Sequence, residues 1–473
     1  MKEKLKTLLL ISLVGISLLF TKQFWTLLPP NFSHIIGSDK VYSSTYLLSD
    51  MLAPNKYLLN FNDKYHTILN NDYQNGLWSD AKKLISSGLE SKDIVISTLS
   101  DEDYHLYHNS RSIVFYFPEK VNTFILAKVL DVVKPNSLVD NIQEIDSIYI
   151  SLKDDDAFLV FSNADKHIKV YKDHMDLSVL SEKVSEIEKK KNYNYYDSMK
   201  KKFDIKNNIF IPYEMNNPIP RVFVENKIVS FTEDEKKQLV EKFFNKGIDY
   251  IREIVESNGS TIYVYNQKVL KLDINGTLEY FNSLEKAVKK RNLYESMNTA
   301  SEFLSKNTDL IANMYLNKTE EIQVDDSFGY RFTFGYRVGG VPVILGNEEV
   351  DDFIQMEVFN SEVRSYKHNI RRYMNNEEDI TFEKKILSSF KVIDMNAEYI
   401  VDAYLKENEV EIRDQENIIE EVLLSIKNID VAYFDPSLKT RGEELIPVWI
   451  IESEEDFYAF NMYNGELVYQ QKL

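Results

Sequence analysis

A single apolar run, Leu5–Leu28, opens the chain, with Lys2 and Lys4 ahead of it, Lys6 at its start and Pro29-Pro30 behind. At about 1.5 Å of rise per residue, a helix of that length crosses the roughly 30 Å hydrocarbon core of a bilayer. A cleavable secretory signal also begins with basic residues and an apolar stretch. Here the run ends in Thr21-Lys22-Gln23-Phe24-Trp25, which offers no pair of small residues for cleavage, and apolar character continues through Leu27 and Leu28. An uncleaved transmembrane helix over residues 5–28 is therefore expected, with residues 1–4 cytoplasmic, Trp25 as an interfacial anchor and the remaining body extracytoplasmic. Lys22 lies near enough to the outer interface to snorkel.

Beyond the run, short alternating and 3.6-period patterns succeed one another. Asp93–Thr98 and Ser112–Phe117 read as strands because β-branched and aromatic residues cluster in them. Trp78–Ser86 and Lys120–Val129 read as helices, and Ser147–Leu152 and Phe158–Phe161 flank an Asp154-Asp155-Asp156 turn. A charged helix is predicted over Leu177–Lys191, its closing lysine run marking a subdomain boundary. Ile209–Phe281 holds strands on either side of a helix predicted over Glu233–Glu256, with a hairpin turn at Asn275-Gly276.

The last 190 or so residues suggest an internal repeat. Val341-Pro342-Val343 is followed by Phe359-Asn360-Ser361-Glu362-Val363, and Ile446-Pro447-Val448 by Tyr463-Asn464-Gly465-Glu466-Leu467, at nearly equal spacing. Helical patterns precede each copy: Leu284–Ser305 before the first, Ala397–Leu405 and Asn417–Ile426 before the second. The expected fold class is α+β. An N-terminal transmembrane helix leads into a multidomain ectodomain of antiparallel sheets and packed helices, divided into residues 29–282, with two possible subdomains, and repeated modules 283–377 and 378–473. Pro342, Asn360, Glu362, Pro447, Asn464, Gly465 and Glu466 carry the repeat, and turn formation is the simplest role for them.

Composition narrows the chemistry. No cysteine occurs in 473 residues, which removes disulfides, thiolate-ligated metals and a lipidated N-terminal cysteine. A net charge of −19 disfavours nucleic acid and anionic polymers as partners. Of seven histidines, only His105 and His108 are spaced to share a helical face, and they lack a third ligand nearby in sequence; Asp101 and Asp103 mark the start of that helix. Asp273-x-Asn275 begins like a calcium loop, but Leu278 and Leu284 stand where glycine and glutamate are needed. Ser198-Met199-Lys200-Lys201 and Ser283-Leu284-Glu285-Lys286 have the spacing of serine acyltransferases without their companion motifs. Gly339 and Gly340 read as a tight turn, and Asp325-Asp326 and Glu377-Glu378-Asp379 as solvated loops. No catalytic residue, cofactor site or metal site is assigned.

The ordered set Phe24-Trp25-Thr26, Leu52–Asn62 (LAPNKYLLNFN), Asn258–Tyr265 (NGSTIYVY), Leu278-Glu279-Tyr280, Gly329–Val343 (GYRFTFGYRVGGVPV), Pro447-Val448-Trp449 and Asn464-Gly465-Glu466 resembles the YycH family over nearly the full chain. The two C-terminal modules resemble those shared with the sister family YycI. The resemblance implies a non-enzymatic, membrane-anchored regulator in Gram-positive bacteria, associated with a YycI-like protein and with the sensor histidine kinase YycG, also called WalK, which controls cell-wall metabolism. It also implies that Leu5–Leu28 touches the kinase's transmembrane helices. Thr7, Ser17 and Thr21 fall within about 80° of one another on a helix and offer a face for close packing in lipid. A homo-oligomer is also open. Two other readings stand beside this one: a stand-alone extracytoplasmic binding or protease-inhibitor-like protein, and a cell-wall hydrolase or transferase.

Overall fold

Strands dominate because β-branched and aromatic residues recur at period two, and the helices occupy the stretches where apolar residues return every three or four positions. The computed structural model describes residues 48–70, 76–153, 156–215, 219–308, 313–346, 352–375, 385–407, 415–437 and 442–472. All of these belong to one compact unit spanning 45–473, while the expected transmembrane helix 5–28 lies outside the described residues. Among the described residues, no helix is long and apolar enough to cross a membrane.

A nine-stranded, wholly antiparallel sheet comes first. Its strands are β1 (Lys56–Asn60), β2 (His66–Leu69), β3 (Val95–Leu99), β4 (Ser112–Asn122), β5 (Glu144–Ser151), β6 (Phe158–Asn163), β7 (Lys166–Tyr171), β8 (Tyr195–Ser198) and β9 (Phe210–Glu214). Their spatial order is β3-β7-β6-β5-β4-β1-β2-β8-β9. Three helices, α1 (Leu77–Glu90), α3 (Thr123–Val129) and α4 (Ser178–Lys190), belong to the core on one face; α2 (Asp101–Tyr107) lies on the other. In α1, Trp78, Ala81, Ile85 and Leu89 recur at helical spacing and are buried with Leu59, Phe115 and Ile148. Lys120–Asn122 extends β4 rather than starting a helix, because the Asn122 side chain accepts from the amides of Phe124 and Ile125 and caps α3 there.

The second half contains a three-stranded sheet of β10 (Val222–Asn226), β20 (Arg371–Asn375) and β22 (Glu443–Glu444), ordered β20-β10-β22. It also contains a thirteen-stranded sheet: β11 (Arg252–Val255), β12 (Thr261–Tyr265), β13 (Lys268–Leu272), β14 (Thr277–Asn282), β15 (Met314–Val324), β16 (Ser327–Val338), β17 (Val341–Leu345), β18 (Ile354–Phe359), β19 (Glu362–Asn369), β21 (Asn428–Asp435), β23 (Ile446–Glu452), β24 (Asp456–Asn461) and β25 (Leu467–Lys472). All its pairings are antiparallel except one. Val343, Ile344 and Leu345 of β17 run parallel to Tyr433, Phe434 and Asp435 of β21, joining the two halves of the sheet.

The longer helices here are α5 (Glu233–Phe244), α6 (Leu293–Asn307), α7 (Ser389–Met395), α8 (Ala397–Glu407) and α9 (Gln415–Ser425). The predicted Glu233–Glu256 helix begins in a Thr232/Glu235 capping box but stops at Phe244, where Asn245 takes a left-handed φ of 52°. Helix α6 begins at Leu293, not at Leu284, because the Asn292 side chain caps it through the Glu295 amide. Helix α7 has no counterpart among the sequence expectations.

Three polar contacts tie the first sheet and the residue before it to β16 and β21 of the large sheet. Lys56 Nζ lies 3.0 Å from buried Asp430, Tyr196 Oη donates to the same carboxylate at 2.9 Å, and Arg337 donates to the Asn55 carbonyl at 3.1 Å. Deeper in the body, Arg371 and Asp435 are fully buried and 3.2 Å apart. Replacing Arg371 with methionine strands the carboxylate. The Arg371→Met variant should lose roughly 3–5 kcal/mol of stability, read as a lower urea midpoint, and Arg371→Met combined with Asp435→Leu should recover part of that loss.

Candidate functional site

The nine-stranded sheet is buried on both faces, but unequally. Positions facing α1, α3 and α4 are mostly apolar, with buried Thr67 opposite Leu59 a polar exception. The opposite face interleaves Leu58, Val114, Tyr149, Phe158 and Val160 with Asn60, Ser112, Ser147, Ser151 and Ser162, all buried. Strand alternation produces this division: in β5, Ile148 and Ile150 point one way while Ser147, Tyr149 and Ser151 point the other.

Four of the seven histidines collect on this second face. On α2, His105 and His108 have ring centroids 5.6 Å apart, and His105 lies 6.5 Å from His167 on β7. Tyr104 stacks on the His167 ring at 4.1 Å and 17°, and His167 Nε2–H donates to Asp101 Oδ1 at 2.9 Å. On β2, His66 packs against Phe210, which also meets the edge of His108. The Asn60 amide donates to Ser112 Oγ at 2.9 Å, so its oxygen is left to accept from His66 Nδ1–H at 2.8 Å. Beside the cluster is a cleft of about 790 Å³, with His105, His108, Asn109 and Ser198 in its wall and Lys200 and Lys206 at its rim.

Burial governs the protonation of His66, His105 and His108. It holds His108 down to about 3, helped by the neighbouring His105, His66 and His167. It holds His66 down to about 4, with the Lys201 ammonium adding to the effect, and lowers His105 in the same sense. Neutral rings suit this packing, since a charged one would sit in an aromatic, desolvated layer. Among the described residues, no group of three or more His, Asp or Glu side chains is placed to hold a metal ion.

The sequence-selected residues fall elsewhere. Thr7, Ser17, Thr21 and Trp25 lie outside the described residues, as do Glu377, Glu378 and Asp379. Asn360, with φ 52°, turns β18 into β19; its side chain accepts from the Asn292 amide and donates to the Lys290 carbonyl, fixing the approach to α6. Glu362 accepts from the Glu285 amide. Asn464 and Gly465 turn β24 into β25, where the Asn464 side chain donates to the Glu466 carboxylate and accepts from the Glu466 amide, and Asn396 donates to the Gly465 carbonyl. The two prolines sit in differently paired strands. Pro342 faces Arg337 across the tight Gly339-Gly340 hairpin, while Pro447 faces Tyr433 across β21.

Ser198 precedes a short helix, and Lys201 is engaged by the Asp63 carbonyl, so this pair forms no nucleophile–base set. Asp273 accepts from the Asn275 amide and pairs with Lys271, as a turn residue does. What sequence reasoning missed was the partnership of His66 and His167 with the α2 pair. The alternating serines of β5 were the available signal, visible only with the helix known to cover them.

Residues 3–194 match the family described as YycH protein, N-terminal domain. The match takes in β1–β7, α1–α4 and the apolar run, and it supports membership of the YycH family. No curated protein matches the chain. Among solved structures, an uncharacterized protein from Eubacterium rectale shares 16% identity, with 54% of this chain and 81% of that one covered and a TM-score of 0.32. The Bacillus megaterium YpeB C-terminal domain shares 16% identity over 51% of this chain and 98% of its own, with a TM-score of 0.26.

The imidazoles give stability a pH dependence of defined sign. Below the ordinary histidine value of 6.5, the unfolded chain takes up protons that folded His66 and His108 refuse until about 4 and 3. Their contribution is complete above pH 6.5 and is lost progressively as pH falls through those values. Urea midpoints measured from pH 7.5 to 4, about the span over which the two states differ in protons, should fall for the native chain; in His108→Phe the decline should be shallower.

Proposed function

We propose that this chain is a non-enzymatic regulator of a cell-wall-controlling two-component system, acting on a YycG/WalK-like sensor kinase together with a YycI-like partner. The carrying observation is the family match, which starts at residue 3 and includes Leu5–Leu28 together with strands β1–β7. In this reading the apolar run is a single-pass anchor, with the N-terminus cytoplasmic and the α+β body extracytoplasmic. It also provides the effector surface, because small and hydroxyl side chains let transmembrane backbones approach closely. Thr7, Ser17 and Thr21 form the contact face, and Trp25 holds the helix at the interface. The body presents sheet edges and an acidic surface to extracytoplasmic partners, and performs no bond-breaking chemistry of its own.

The test is co-purification of the full chain with the kinase from membranes. Exchanging Leu5–Leu28 for an unrelated apolar helix should abolish recovery of the kinase; retained recovery would move the contact to the body. Within the helix, joint Ser17→Leu and Thr21→Leu replacement should reduce recovery by roughly fivefold or more, matching the loss of about 1 kcal/mol of packing, and unchanged recovery would exclude this face.

A further inference from the structure

Exposed sheet edges are ready templates for another strand, and folded chains blunt them with charge, proline or bulges. The edges here are blunted in that way, with one exception. At the far side of the first sheet, β9 carries Pro212 and a bulge at Tyr195/Tyr196. In the thirteen-stranded sheet, β11 carries Arg252 and Glu253, and β15 a bulge with Lys318, Glu320 and Glu321. Strand β25 ends on Lys472 and has a register shift opposite Ala459/Phe460. The small sheet is flanked by Arg371 and Arg372 on one side and Glu443 and Glu444 on the other.

Strand β3, Val95-Ile96-Ser97-Thr98-Leu99, has none of these devices. It pairs with β7 in unbroken register from Val95↔Tyr171 to Leu99↔His167, and no described residue pairs with its outer side. None of its five side chains is buried, and Val95 is 65% exposed. Ile96 and Leu99 pack only partly against the cores on the two faces, and an uncharged, β-branched strand is costly to keep at an open edge. Directly after it, Asp101, Glu102 and Asp103 start α2 with their side chains in solvent.

We propose that the open edge of β3 binds an extended segment of another protein as an added strand. Every pair in this sheet is antiparallel, so the added strand runs antiparallel to β3. Its N-terminal end then lies beside Asp101–Asp103, where lysine or arginine is the complementary choice, and its central residues are uncharged and β-branched. A second copy of this chain fits less well. Antiparallel self-pairing about Ser97 sets Asp93 against Asp101 at both ends and brings together two chains of charge −19.

The probe is a synthetic peptide of two arginines followed by alternating valine and threonine, added to the full chain in detergent micelles. Fluorescence polarisation reads binding, and amide hydrogen exchange locates it. Slowed exchange over residues 94–100 is expected. Thr98→Lys should weaken binding by roughly tenfold or more, while Val255→Lys on the already charged β11 edge leaves it unchanged. A peptide with proline for its central valine leaves the protein untouched and should not bind, which separates strand addition from simple charge attraction. Unaltered exchange over 94–100, equal binding by Thr98→Lys, or equal binding of the proline peptide would overturn the proposal. Self-association of the chain abolished by Thr98→Lys would overturn the choice of a separate protein.

Discussion

Arg371 and Asp435 lie entirely out of water, and two opposite charges in that position have to be brought together by the chain around them. Arg371 begins β20, directly after β19, while Asp435 ends β21, whose last three residues form the parallel pairing with β17. The Asp435 carbonyl accepts from the Gly346 amide where β17 ends, and its carboxylate accepts from the Ser437 amide. Burial pushes the Asp435 carboxyl upward, and the guanidinium opposes that push. The ion pair thus fixes the one place where the two halves of the large sheet meet. A slip of one residue at the β17/β21 junction would turn Asp435 to the other face and leave Arg371 uncompensated.

The first sheet answers a different constraint. Its helical face is a largely apolar layer, but its other face mixes serines, asparagine and imidazoles with aromatic rings, and several of its polar groups are paired with one another there. Asn60 does this by bridging Ser112 and His66, and Tyr149 by donating to the Tyr107 carbonyl at 3.1 Å. The cost is a layer that tolerates neutral histidine and resists charged histidine. The same short helix that covers this layer leaves its acidic first turn in solvent beside the bare edge of β3, so the most polar part of the core and the least protected edge are neighbours.

Ser198 stands at a helix start, Asp273 is a turn and ion-pair residue, and the His66 and His108 rings are held neutral inside a packing layer. Surfaces and edges are what such a body has to offer a partner.

Much of the local structure was legible in residue pattern. The strands at 112–117 and 147–152, the helix near 78–86 and the turns at Asn275-Gly276, Asn360 and Asn464-Gly465 follow from alternation, helical spacing and the few residues that accept positive φ. Helix ends were less legible, since Asn122, Asn245 and Asn292 decide them through single side chains or one dihedral angle. The apolar run and the ordered motifs also pointed to the family by themselves. The pairing of distant segments was beyond any local pattern: the match of Pro342 with Pro447 in sequence does not place them in equivalent strands, because strand neighbours are chosen by which faces can be buried together. Likewise, His105 and His108 showed their shared helical face in sequence, but only the packing of α2 across β2 and β7 brought His66 and His167 to them, and only burial in that layer lowered the affinity of His66, His105 and His108 for protons.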